Sequence, residues 1–104
     1  MRMLITVTLP HKTVNAALRD GTMGPKMNRI FETLKPEQFY FTQNDGLRCV
    51  LMIVNMSDPS QLPVVCEPWQ LLFEAKVDHR ILMTTDDLFN ANLFALGKEW
   101  GQTD

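Results

Sequence analysis

The chain is poor in the features that announce a chemistry. It has two cysteines in 104 residues, Cys49 and Cys66, far apart and without metal-ligand spacing, so they form neither a metal motif nor a disulfide framework. Free thiols in a reducing compartment are the expectation. No apolar run approaches the length of a membrane span. An excess of charge of one sign is also lacking: 10 basic and 12 acidic residues leave a net charge of -2, which offers nothing to nucleic acid or to an anionic membrane. The segment Met1–Pro10 has neither the apolar stretch nor the small-residue cleavage site of a signal peptide, so a cytoplasmic protein is expected. No catalytic, metal or phosphate-binding motif stands out, and no cofactor or metal is expected. There is no repeat, linker or low-complexity tract, so residues 1–104 are read as a single domain.

What is present is bulk for a core. The stretch Leu47–Met56, Leu-Arg-Cys-Val-Leu-Met-Ile-Val-Asn-Met, is the most apolar in the chain and is apolar on both alternating faces beyond Arg48. That pattern suits a central strand covered on both sides. Residues 2–9 alternate, with Met3, Ile5, Val7 and Leu9 opposite Leu4, Thr6 and Thr8, and Pro10 ends the strand. Val14, Ala17 and Leu18 mark a short helix closed by Gly21. Thr22 caps a second, whose apolar side is Met23, Met27, Ile30, Phe31 and Leu34, with Pro36 beyond its end. Phe39-Tyr40-Phe41 signals a strand, and Asn44-Asp45-Gly46 a tight turn into the central one.

Asp58-Pro59 opens a third helix carrying Leu62, Val65 and Cys66. Pro68 is expected to break or kink it near Cys66, leaving Trp69–Phe73 as a separate piece. Residues 74–84 alternate as a fourth strand. Thr85, followed by Asp86 and Asp87, opens a last helix with Leu88, Phe89, Leu93 and Leu96 on its buried side and Gly97 at its end. Trp100 is expected to fold back onto the body or onto a partner chain.

Strand, helix pair, strand, strand, helix, strand, helix is an α+β plan. Two split crossovers with a hairpin between them give a ferredoxin-like four-stranded antiparallel sheet of order 4-1-3-2, helices on one face, and an extra C-terminal helix. The face away from the helices is expected to hold Leu4, Thr6, Thr8, Tyr40, Thr42, Arg48, Val50, Met52, Val54, Arg80 and Leu82. Its band of Val50, Met52, Val54, Leu4 and Leu82 is too apolar to sit bare, so a homodimer through the sheet face is expected.

This element order, the apolar second sheet face and the Pro68-Trp69 segment before an edge strand resemble the dimeric α+β barrel superfamily. The layout is similar to small muconolactone-isomerase-like and antibiotic-biosynthesis-monooxygenase-like proteins and their uncharacterised relatives. The resemblance covers Met3 to Leu96 and rests on topology. It implies two facing sheets with pockets inside the barrel or between sheet and helices, and it assigns no catalytic residue to a position here.

For a binding site, Arg48 and Arg80 share the expected inward polar set with Tyr40, Thr6 and Thr8. Guanidinium groups beside a phenol and hydroxyls can hold a small carboxylate or enolate. An ion pair with Asp78, or solvation at a strand end, is the simpler account of the arginines. His79 alternates with Val77 and Ile81 toward the helices, as a core or boundary residue or as a general base. His11 follows a strand and opens a helix, where capping or solvent exposure is the simpler reading and a pocket role the alternative. Arg19-Asp20-Gly21-Thr22 is explained by turn chemistry, and the seven methionines by an adaptable core. The RNA-recognition motif shares the element order but stacks bases on aromatics of its first and third strands, and 2–9 and 47–56 contain none.

Two functions follow. One is a small cofactor-independent isomerase or oxygenase acting on a small apolar or aromatic acid. The other is a non-catalytic ligand-binding or protein-interaction subunit.

Overall fold

The computed structural model describes residues 1–101. The elements are β1 (Arg2–Thr8), α1 (His11–Asp20), α2 (Met23–Leu34), β2 (Gln38–Asn44), β3 (Leu47–Asn55), α3 (Gln61–Phe73), β4 (Lys76–Ile81), α4 (Thr85–Ala91) and α5 (Leu93–Trp100). The four strands form one antiparallel sheet, β2-β3-β1-β4 counted from the β2 edge. The order 4-1-3-2 names the same neighbours from the other edge, and β3 lies beside β1.

Register decides what faces what. Asp45 and Gly46, both at positive φ (53° and 76°), make a two-residue turn that pairs Asn44 with Leu47. Counting back along the hairpin sets Phe41 opposite Val50 and Phe39 opposite Met52. On the other side of β3, Val50, Met52 and Val54 pair with Val7, Ile5 and Met3. Cross-strand partners share a face, so all of these residues lie on one side of the sheet. That side is the helix-covered one: Ile5, Val7, Val50 and Met52 are all at 0% exposure beside buried Val14, Ala17, Ile30, Val65, Trp69 and Phe73. The expectation that Val50, Met52 and Val54 face away from the helices is therefore overturned. They are the centre of the protomer's own core.

α2 follows its apolar spacing, with Ile30 buried and Met23, Met27, Phe31 and Leu34 packed against the core. Phe31 stacks on Phe39, ring centroids 4.0 Å apart, and meets Trp69 edge-on at 5.8 Å. α1 ends at Gly21 in the left-handed region (φ 80°), as the sequence indicates. Thr22 does not cap α2 with its side chain; its hydroxyl donates to Asp20 Oδ1 at 2.6 Å instead. Asp58 likewise makes a turn, accepting from Ser60 N at 2.8 Å, and α3 begins at Gln61.

Pro68 does not break α3, which runs unbroken from Gln61 to Phe73. Val65, Trp69 and Phe73 recur every four residues and are all buried, so both halves of the helix are held against the same core. Burial of two large aromatics outweighs the cost of an interior proline, whose missing hydrogen bond and ring clash together come to roughly 3 kcal/mol.

The C-terminus departs furthest from expectation. The fourth strand stops at Ile81 and the last helix is two short ones, split at Asn92 in the left-handed region (φ 56°). Asn92 ends α4 and its side chain accepts from Ala95 N to start α5. Thr84, one residue earlier than expected, caps α4, and Gly97 lies inside α5 rather than ending it. Every residue from Met83 to Gly101 is exposed. This arm stands off the body: the chain is 64 Å long with a radius of gyration of 18.1 Å, against about 13 Å for a compact chain of this length.

Candidate functional site

The three residues expected to form a binding site are not brought together. Arg48 is on the helix side of β3, where its Nη1 donates to Asn15 Oδ1 of α1 at 3.0 Å. It shares a face with Val50 and Met52 as expected, but that face is the covered one. Tyr40 and Arg80 do lie on the open face, on the two opposite edge strands. Three interstrand spacings separate those strands, about 14 Å. Tyr40 Oη donates to Gln38 Oε1 at 2.6 Å, along its own strand. Asp78 pairs with Lys76, at 4.0 Å between exposed groups, and not with Arg80.

The open face reads as three rows across the sheet: Gln38-Ile53-Leu4-Arg80, Tyr40-Leu51-Thr6-Asp78 and Thr42-Cys49-Thr8-Lys76. Its apolar centre is Ile53, Leu4 and Leu51, each half-buried, flanked by polar β2 and charged β4. Cys49 is buried beside Thr8, and burial pushes its thiol up from the ordinary range. Cys66, on α3, is raised by partial burial and then by the neighbouring Glu67 charge.

His11 starts α1 and His79 lies on the helix side of β4; both are exposed. His79 borders a cleft of about 450 Å³ with Met3, Met56, Leu62 and Ile81 at the root of the arm. A second cleft of about 450 Å³ is the groove between α2 and α3, lined by Ile30, Thr33, Val64, Pro68, Leu71 and Leu72 and rimmed by Arg29 and Glu67. The third, about 600 Å³, is the crook between α4 and α5, lined by Leu88, Phe89, Leu93 and Phe94. None of these three contains Tyr40, Arg48 or Arg80. Among the described residues no group of three or more His, Cys, Asp or Glu side chains is placed to hold a metal ion, and no helix is long and apolar enough to cross a membrane.

The most prominent chemistry on the surface is thus apolar. Leu88, Phe89, Leu93, Phe94, Leu96 and Trp100 are between 41% and 82% exposed on the arm, and Leu88, Phe89, Leu93 and Leu96 were expected to form a buried side. Trp100 does not fold back onto its own body. Among known proteins, no family model and no curated protein matches the chain.

Proposed function

We propose that the chain is a non-catalytic interaction subunit, with its role carried by exposed apolar surface rather than by an enclosed pocket. The observation behind this is the arm: Phe89, Phe94 and Trp100 are 82%, 75% and 78% exposed on two adjoining short helices. Contiguous apolar surface of this kind marks interaction sites, and large aromatics are the residues that anchor them. The test is the native size of the full-length chain in extract of its own cells, against Phe89→Ser/Phe94→Ser/Trp100→Ser. A larger assembly that collapses to the lone protomer in the variant supports the reading. Lone protomers in both cases overturn it.

The second reading is a small cofactor-independent isomerase or oxygenase acting on a small apolar or aromatic acid, as the resemblance to dimeric α+β barrels implies. Tyr40 and Arg80 on one open face, around Ile53, Leu4 and Leu51, support it. A homodimer through that face would enclose them, with those three residues replacing Val50, Met52 and Val54 as its apolar centre. Arg48 has no part in such a site. A melting-temperature rise with small aromatic carboxylates, lost in Tyr40→Phe and Arg80→Met but kept in the arm variant, would favour this reading over the first.

A further inference from the structure

The groove between α2 and α3 and the C-terminal arm are complementary parts of one chain. Val64, Pro68 and Leu71 follow one another at i, i+4 and i+7 along the outer side of α3, with Val64 60% and Leu71 77% exposed. Leu93, Leu96 and Trp100 stand at i, i+3 and i+7 on α5, three of the four anchor positions of a helix recognised in a groove, and Gly97 at i+4 lets the helix backbone approach closely. α5 is eight residues long, about 12 Å, and the groove walls of 12 and 13 residues are longer, about 18 to 20 Å. We infer that α5 of one copy docks in the α2–α3 groove of a second copy, and the reverse, closing a two-fold arm exchange. This deepens the interaction-subunit reading and rests on it.

Surface area argues for a second copy as the occupant. The chain exposes 7572 Å². A compact monomer of 12.0 kDa exposes roughly 6,000 Å², which leaves an excess of about 1,600 Å². A standard interface takes about 800 Å² from each partner, so the excess is on the scale of a permanent dimer. An unrelated partner seated on the arm would leave the groove bare. A second copy covers both with one symmetry operation.

Charge points the same way. Residues 1–84 carry nine basic and eight acidic side chains, whereas residues 85–101 carry three acidic and one basic. Arm and body attract weakly while two arms repel, which favours arm on groove over arm on arm. The groove rim offers Arg29 and Glu67, and α5 brings Lys98 and Glu99 beside its apolar anchors.

The test is the mass of the purified full-length chain at micromolar concentration by sedimentation equilibrium. Wild type is expected at twice 12.0 kDa. Leu71→Arg in the groove and Leu96→Arg on the arm each return the mass to that of one chain, with unchanged circular dichroism because both side chains are exposed. Leu71→Met keeps the dimer. Mixing the two arginine variants rebuilds a dimer, since one intact arm then meets one intact groove. A wild-type monomer, a dimer that survives Leu71→Arg, or variants that fail to complement each overturn the inference. A purified monomer that still joins an arm-dependent assembly in cell extract would overturn the second copy alone and leave the interaction reading in place.

Discussion

Arg48 Nη1 donates to Asn15 Oδ1 at 3.0 Å, joining the start of β3 to the middle of α1. Both residues are half-buried, so the bond is partly shielded from water without carrying the cost of an isolated buried charge. Its role is to hold the helix layer against the sheet. Arg48→Met and Asn15→Ala are each expected to lower stability, with a coupling of about 1 kcal/mol between them in a double-mutant cycle read by urea unfolding. Independent, additive effects would show that the bond contributes nothing. Arg48→Met is also expected to leave any carboxylate-induced rise in melting temperature unchanged.

Val50 at 0% exposure sits between Phe41 and Val7 under the helices. Val50→Asp therefore acts on the protomer and not on a contact between copies. Burying an unpartnered carboxylate there costs roughly 4 kcal/mol or more, comparable with the total stability of a small domain. The variant is expected to lose cooperative unfolding. Leu51→Asp, one residue along and on the open face, is expected to cost about 1 kcal/mol. A folded Val50→Asp with a normal melting curve would refute this placement.

Arg48 makes the direction of β3 hard to read from the sequence. Both faces of this strand are apolar, so alternation alone gives no direction, and one charged residue is a natural marker for the side away from the core. The marker misleads because Arg48 lies near the strand's end, within reach of Asn15. The correct answer was available in the Asp45-Gly46 turn. A two-residue hairpin fixes Phe41 opposite Val50 and Tyr40 opposite Leu51, and the two phenylalanines mark the helix side, where Phe39 stacks on Phe31 at the edge of the core while staying 43% exposed. Element order, sheet order and the α2 core residues were legible because periodicity and turn residues encode them locally. The fate of the arm was not: Leu88, Leu93 and Leu96 have the spacing of a buried helix face, and no local signal tells whether the covering body is the same chain. Pro68 failed as a helix breaker for a related reason, since the burial of Trp69 and Phe73 is a property of the whole fold.

The two thiols should differ in reactivity. Burial raises the pKa of both above 9.0, so little thiolate exists near neutrality. Cys49 is almost fully covered, whereas Cys66 is partly open on α3. With iodoacetamide at about pH 9, closer to the raised thiol range, mass spectrometry is expected to find Cys66 modified first. Cys49 should label only on global unfolding, and its rate should rise with urea. Simultaneous labelling in the absence of denaturant would contradict the packing of Cys49 beside Thr8.

The start of the arm should respond to acid. Thr84 N donates to Asp87 Oδ2 at 2.8 Å, and Asp87 N donates back to Thr84 Oγ1 at 3.2 Å, a reciprocal cap on α4. The backbone hydrogen bond from Thr84, and then its side chain, hold the Asp87 carboxyl below its ordinary value of 3.8. A depressed folded pKa means that the ionised form is the one the cap stabilises. Its contribution is complete above the ordinary carboxylate range and is lost as pH falls below 3.8 and through the lower folded value. Carboxyl carbon shifts of Asp87 followed by NMR should therefore titrate below those of an unstructured aspartate, and the protection of the Thr84 amide, taken relative to its intrinsic exchange rate at each pH, should fall over the same window. In Asp87→Asn the amide oxygen still accepts from Thr84 N but carries no titratable proton, so the acid step at Thr84 should disappear. A Thr84 exchange profile that keeps this step in Asp87→Asn would show that another group governs the helix start.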